Sequence, residues 1–260
     1  MKVLILKGAS PRHNYFAREI SEIEGLEYKI MSHQRLGKKR LKKMILKSPM
    51  TFFNRVSKYV FQKFKNWNKK EKAFFGEINT YEEIKVVSLN SKNSIKLMKE
   101  FNPDLLVAFG IPIISNKVID IPKYGAINLH GGISPDYKGG NTIFWPLYKG
   151  DLYKVGATLH YMVNKVDSGE IICKIHPDIN SNDDEFSASA KTFKYATKEM
   201  VNIVKWVKTE QKKASSKEQI GQGVLYLAKH RTFLVDLLGP NKIRKNLKNM
   251  SIDKKIERFY

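Results

Sequence analysis

The side chains best suited to chemistry in this chain are Asn128, His130 and Asp167. They lie in Asn128-Leu129-His130 and Val166-Asp167-Ser168-Gly169, with Pro135-Asp136-Tyr137-Lys138-Gly139 between them. The three offer an amide, an imidazole and a carboxylate. An amine attacking an acyl or formyl carbonyl needs donors for the oxyanion that develops, and Asn and protonated His supply them. It also needs an acceptor for the proton the nitrogen loses. A carboxylate beside the imidazole raises its pKa and favours the charged form. Gly131, Gly132, Gly139, Gly140 and Gly169 flank these groups and allow the backbone to turn tightly and approach a ligand closely.

The elements that position these residues follow from apolar patterning. The runs Val3–Leu6, Ile84–Leu89, Leu105–Phe109 and Ala126–Leu129 read as strands buried on both faces. Helical spacing fills several intervals, for example Ser91–Phe101. The alternation predicts an α/β fold with a Rossmann-like, largely parallel sheet flanked by helices. Ligands of such sheets bind beyond the carboxyl ends of the strands, which is where Asn128 and His130 fall. Gly156–Met162 and Ile171–Ile175 read as further strands and Glu185–Lys208 as a long helix. Glu210–Gln219 reads as a loop or linker and Val224–Leu227 as a short strand. The rest reads as basic and helical, broken at Gly239-Pro240. The expected organisation is a catalytic domain over 1–208, with a basic helical insertion at 37–77, and a short, mostly helical C-terminal extension over 209–260.

At these residues the chain resembles the formyltransferases that use 10-formyltetrahydrofolate, a family acting on glycinamide ribonucleotide, methionyl-tRNA and nucleotide-linked amino sugars. The family pattern runs Asn-x-His, Leu-Pro-x-Tyr-Arg-Gly, a strand, then Asp-x-Gly. The matching residues are Asn128, His130, Pro135, Tyr137, Gly139, Thr158, Asp167 and Gly169, within a stretch from Leu105 to about Ile175. Lys138 stands where the family has Arg, and Gly131-Gly132 where it has Pro-Ser. The resemblance implies that Asn128 and His130 bind and polarise the formyl group and that Asp167 assists proton transfer. It implies a folate slot formed by Gly110, Ile111, Pro112 and Ile113, bordered by Val166 and Asp167. His160, in the strand before Asp167, matches a His that some members carry near the catalytic water. His13 and His176 have weaker claims.

The acceptor is read from the loop after the first strand. Gly8-Ala9-Ser10-Pro11-Arg12-His13-Asn14 lacks the second glycine of the family's ribose-phosphate loop, and Ser10, Arg12 and His13 become the candidate phosphate contacts, with Tyr137 and Lys138 as further candidate substrate contacts. Equally, Ser10 and Pro11 form a favoured helix start. Methionyl-tRNA enzymes append a larger β-domain, whereas about fifty residues follow Lys208 here. The expectation is therefore an N-formyltransferase acting on a nucleotide-linked amino sugar, with 10-formyltetrahydrofolate as cosubstrate. The alternatives are glycinamide ribonucleotide or methionyl-tRNA as acceptor, or a non-catalytic relative that binds RNA or membrane.

Composition bounds the rest. The 260 residues carry 47 Lys or Arg against 25 Asp or Glu, a net charge of +22, which favours anionic partners. Between Lys38 and Lys72 there are thirteen basic residues and one acid, Glu71, interleaved with apolar side chains three or four apart and split by Pro49. That segment suits either a helix packed on the sheet or docking on an anionic membrane; nucleic acid is the weaker fit. Cys173 is the single cysteine and lies in an apolar run, so it reads as a buried inert thiol, with no disulfide and no metal expected. The expectation is a cytoplasmic protein, peripheral at the inner membrane surface if the basic segment docks there. A homodimer is compatible with this reading.

Overall fold

The computed structural model describes residues 1–33, 66–76 and 81–260. Most of the basic segment 37–77, including Pro49, lies outside the described residues.

The central sheet has eight strands. Five run parallel: β3 (Ile84–Val86), β2 (Glu27–His33), β1 (Lys2–Lys7), β4 (Leu105–Phe109) and β5 (Ala126–His130). Three antiparallel strands extend it beyond β5: β7 (Ala157–Tyr161), β8 (Ile171–His176) and β12 (Lys255–Arg258). The short strands β6 (Tyr137–Gly139) and β10 (Val224–Tyr226) pair with each other, as do β9 (Ile179–Asn180) and β11 (Ser251–Ile252).

The central strands are apolar throughout because both faces are covered. Val3, Ile5, Leu105, Val107, Ile127, Leu129, Ala157 and Leu159 face α1 (Pro11–Ser21) and the long helix Glu185–Glu210, packing on Phe16, Ile20, Met200 and Val204. Leu4, Leu6, Leu106, Ala108 and Ala126 face the other way, onto Met98 and Phe101 of the helix Lys92–Phe101 and onto Val118. Each fully buried large aliphatic side chain is worth roughly 1.5–3 kcal/mol, so the sheet centre is tightly packed on both faces. The site grows from this rigid base.

The C-terminal region differs from expectation. The helix Phe233–Leu247 runs through Gly239 and Pro240 without stopping. Gly239 is buried against the Phe144 ring, so packing holds the helix where Pro240 lacks an N–H donor. The last residues are not helical: β12 is an edge strand of the main sheet, paired with β8 through Lys255–His176 to Arg258–Cys173. Its Arg258 makes a two-pronged contact to the buried carboxylate of Glu199, at 2.7 Å from each oxygen. Cys173 is buried, and burial pushes its thiol up to about 12, which keeps it protonated and unreactive.

Candidate active site

Strand alternation aims the reactive side chains. Ile127 and Leu129 of β5 and Leu159 and Tyr161 of β7 point into one core layer, so Asn128, His130, Thr158 and His160 all project from the opposite face. The antiparallel register sets Asn128 across from His160 and His130 across from Thr158. Asp167, in the loop after β7, folds back over them. Its Oδ2 lies 3.3 Å from His130 Nδ1 and its Oδ1 3.6 Å from His160 Nε2. Asn128 Nδ2 lies 3.3 Å from His160 Nε2.

Backbone carbonyls assign the protons on both rings. His130 Nε2 donates to the Tyr137 carbonyl at 2.7 Å, and His160 Nδ1 donates to the Tyr161 carbonyl at 2.8 Å. A carbonyl oxygen only accepts, so the remaining nitrogens, His130 Nδ1 and His160 Nε2, are the two that can take up a proton. Both face Asp167. Burial lowers the His130 pKa below the usual histidine value; Asp167 and the Tyr137 carbonyl oppose this without overcoming it. The carboxylate was expected to raise the His130 pKa, and it does pull that way. The ring is nevertheless 5% exposed, and desolvation dominates. Burial alone would raise the Asp167 carboxyl, but the neighbouring His160 and His130 rings and the Gly139 N–H together hold it at about 2.

The turn carrying Asp167 is built under constraint. Asp167 itself has φ of 46°, a left-handed conformation that a non-glycine residue adopts at a cost. Three contacts hold it. The Gly139 N–H donates to Asp167 Oδ2 at 2.9 Å, and Gln219 Nε2 donates to the Asp167 and Gly169 carbonyls at 3.0 and 2.7 Å. A Cβ at Gly169 would fall on the Tyr161 carbonyl oxygen. Gly132 serves His130 in a similar way: a Cβ there would sit 2.6 Å from both His130 Nε2 and the Tyr137 carbonyl oxygen that it contacts. Thr158 fixes the loop after β5, accepting from Ser134 N–H at 2.9 Å and donating to the Gly132 carbonyl at 2.7 Å. Gln219, read from sequence as part of a linker, is the residue sequence reasoning missed. It lies 52 positions from Asp167 and carries no local signal.

The expected folate segment lies at the end of β4, next to β5. Among the described residues, no backbone carbonyl accepts from the amides of Ile111, Ile113 or Ile114. Ile113 is 71% exposed, and the exposed Val163 and Val166 precede Asp167. Ile111 and Met162 pack against the same core layer. Free amides between apolar side chains suit a flat heteroaromatic ring with polar edges. A shallow cleft of about 700 Å³, lined by Lys92, Lys96, Lys99 and Lys117 among others, opens nearby. Asn90, which lines it, bonds the Ile113 carbonyl at 3.0 Å and the Ser115 N–H at 2.8 Å.

The expected acceptor residues already have protein partners. Ser10 is the N-cap of α1 and its N–H donates to His13 Nδ1 at 3.2 Å. His13 is buried edge-on against Phe109. Arg12 pairs with Glu71 and stacks over the Phe193 ring. Trp67 Nε1 also donates to Glu71, at 2.9 Å. Thus the helix Trp67–Phe75 buries Glu71 and Phe75 and turns Lys69, Lys70 and Lys72 outward, the packed-helix alternative for this part of the basic segment. Tyr137 donates to Asp151 and stacks on Tyr226, and Lys138 reaches Ser168 Oγ at 3.1 Å. His176 lies on β8, outside the cluster. Among the described residues, no group of three or more His, Cys, Asp or Glu is placed to hold a metal ion.

The formyl transferase family profile matches residues 56–204. A methionyl-tRNA formyltransferase of Clostridium botulinum is 38% identical over 120 residues, 44% of this chain and 38% of that protein. One from Bacillus subtilis is 40% identical over 91 residues, 34% of this chain and 28% of that protein. The chain thus matches well under half the length of these relatives. In fold, it is similar to a sugar N-formyltransferase from a Shewanella species, with TM-score 0.57 and 14% identity, covering 92% of this chain and 87% of that one. It is also similar to a formyltransferase from Anoxybacillus kamchatkensis in complex with UDP-4,6-dideoxy-4-formamido-L-AltNAc and tetrahydrofolate, with TM-score 0.52 and 17% identity, covering 95% of this chain and 97% of that one. At these identities the likeness is one of fold.

Proposed function

Because this chain belongs to the formyl transferase family, we propose that it transfers a formyl group from 10-formyltetrahydrofolate to an amine, and that the amine is carried by a nucleotide-linked sugar. The observation that carries the chemistry is the convergence of His130 and His160 on Asp167, with Asn128 against His160, at the carboxyl edge of β5. The bound folate supplies the formyl group. Asn128 supplies a donor for the oxyanion that develops on the formyl oxygen, and His130 supplies a second once Nδ1 has taken up a proton. The incoming nitrogen sheds a proton, which the two open ring nitrogens beside Asp167 are placed to receive and to pass to the folate nitrogen as its bond to the formyl carbon breaks and tetrahydrofolate departs. Asp167 stays ionised over the working range and compensates the charge that appears on the imidazoles. The amides of Ile111, Ile113 and Ile114, with Ile113, Val163 and Val166 as apolar walls, would hold the pterin. The lysine-lined cleft would favour the carboxylates of its glutamyl tail.

For the acceptor, three features support a sugar nucleotide. Residues 209–260 fold back onto the catalytic core through Gln219, β10 and β12. A protein of similar fold binds a UDP-linked formamido sugar along with tetrahydrofolate. The net charge of +22 suits a diphosphate. The sequence relatives favour methionyl-tRNA as the second reading. The deciding experiment is a formylation assay with 10-formyltetrahydrofolate against a panel of UDP- and dTDP-linked amino sugars, glycinamide ribonucleotide and methionyl-tRNA. Turnover with an amino-sugar nucleotide alone is the expected result. Turnover with methionyl-tRNA alone replaces the acceptor, and none with any amine removes the enzymatic reading. No described helix is long and apolar enough to cross a membrane. Docking of the 37–77 segment on the inner membrane surface is part of this proposal on the strength of its interleaved basic and apolar residues.

A further inference from the structure

The helix Phe233–Leu247 carries apolar residues on its outer face. Asp236, Gly239, Ile243 and Leu247 point inward, while Leu234, Leu237 and Leu238 are 63%, 51% and 56% exposed. Of the fifteen exposed large apolar side chains among the described residues, eight fall between Ile220 and Leu238. Three of them, Leu234, Leu237 and Leu238, share one helix face by their spacing, and monomers that stay free in water seldom keep a contiguous apolar patch.

The charges around the patch are one-sided. From Gln219 to Ile252 the only acidic residue is Asp236. It is buried and paired with Arg231 at 2.6 Å. Lys229, Lys242, Arg244, Lys245 and Lys248 are exposed. Leu234, Leu238, Asn241 and Lys245 lie four, three and four residues apart, so the leucine face runs directly into a basic one. Leucines that enter the headgroup boundary, next to cations that meet anionic headgroups, are the pattern of a helix lying on a membrane. A second copy on the same face would bring two basic rims together in a chain of net charge +22, whereas an acidic lipid surface neutralises them.

We propose that this leucine face and its basic flank seat the protein on anionic lipid headgroups. The inference is independent of the formyl-transfer reading and concerns residues outside the 37–77 segment. It also bears on the site, because the adjoining Val224–Tyr226 strand pairs with Tyr137–Gly139, whose Gly139 N–H holds Asp167.

The test is co-sedimentation of the full chain with vesicles of phosphatidylcholine alone and of phosphatidylcholine mixed with phosphatidylglycerol. The wild type should partition to the mixed vesicles at least about tenfold more strongly, and added salt should weaken this. The variant Leu234→Gln/Leu237→Gln/Leu238→Gln should lose about tenfold or more of that partition, with an unchanged circular dichroism spectrum. It separates this face from the basic segment, which it leaves intact. Should that variant misfold, Lys245→Gln/Lys248→Gln gives the same comparison on exposed charges. Equal sedimentation of wild type and variants, or equal partition to both vesicle types, overturns the proposal. So does a concentration-dependent dimer, seen by light scattering, that the leucine variant abolishes without any vesicle binding; that result assigns the face to a second copy.

Discussion

The amide N–H of Gly139 donates to Asp167 Oδ2 at 2.9 Å, the same oxygen that lies 3.3 Å from His130 Nδ1. One carboxylate oxygen is thus shared between the loop after β5 and the histidine at the end of β5. The bond fixes the distance between Asp167 and His130, and it helps keep the carboxyl ionised.

On the proposed mechanism Asn128→Ala removes an oxyanion donor, and His130→Ala removes the ring whose Nδ1 takes up the proton and then donates. Each should lower kcat by about a hundredfold or more, the scale of losing one such donor, and Asn128→Ala should leave the thermal midpoint near that of the wild type. Steady-state kinetics with a responsive amine checks this, and near-normal rates in both variants would remove the site.

Asp167→Asn should move the His130 titration further down, because the Asp167 charge is the main influence raising it against burial. Ring-proton NMR titration reads the shift directly. An upward movement of His130 in the variant contradicts the assigned electrostatics.

Asp167 also links stability to pH. Its folded pKa, about 2, lies below the ordinary carboxylate value. The stabilisation, on the order of 2 kcal/mol, is therefore complete above the unfolded pKa near 4 and is lost as pH falls through about 2. Urea unfolding of wild type and Asp167→Asn should show a gap at neutral pH that narrows towards pH 2. A gap that does not change with pH refutes the linkage.

Gln219 is expected to act as a positioning residue, since its side-chain amide bonds the backbone carbonyls of the Asp167 turn. Gln219→Ala should cost about 1–3 kcal/mol for its two lost bonds and lower kcat more than it changes the acceptor KM. Its other diagnostic is the His130 ring titration, which should shift as Asp167 moves. A variant that loses stability alone makes Gln219 merely structural.

Gly169→Ala should be among the most disruptive single-methyl changes in the chain, because the added Cβ meets the Tyr161 carbonyl oxygen. Overpacking of this kind costs about 2–3 kcal/mol, a fall in Tm of roughly 5–10 °C for a domain of this size. Differential scanning calorimetry gives the answer, and an unchanged Tm shows that the turn can relax.

The sequence by itself determined the strand core and its reactive edge. Apolar runs such as Val3–Leu6 and Leu105–Phe109 have one stable use, as strands covered on both faces, and the two-residue spacing of Asn128 and His130 puts both on one face at a strand end. The pairing of Asn128 with His160 was not legible, because antiparallel register between β5 and β7 is a long-range property of the sheet. Gln219 was hidden for the same reason, and β12 was read as helix because a short edge strand is selected by an open partner and not by its own pattern. The ionisation of the site was also beyond the sequence. Residue types set which groups can titrate, but burial of the His130 ring decided that desolvation outweighs the neighbouring carboxylate, and only the tertiary structure fixes burial.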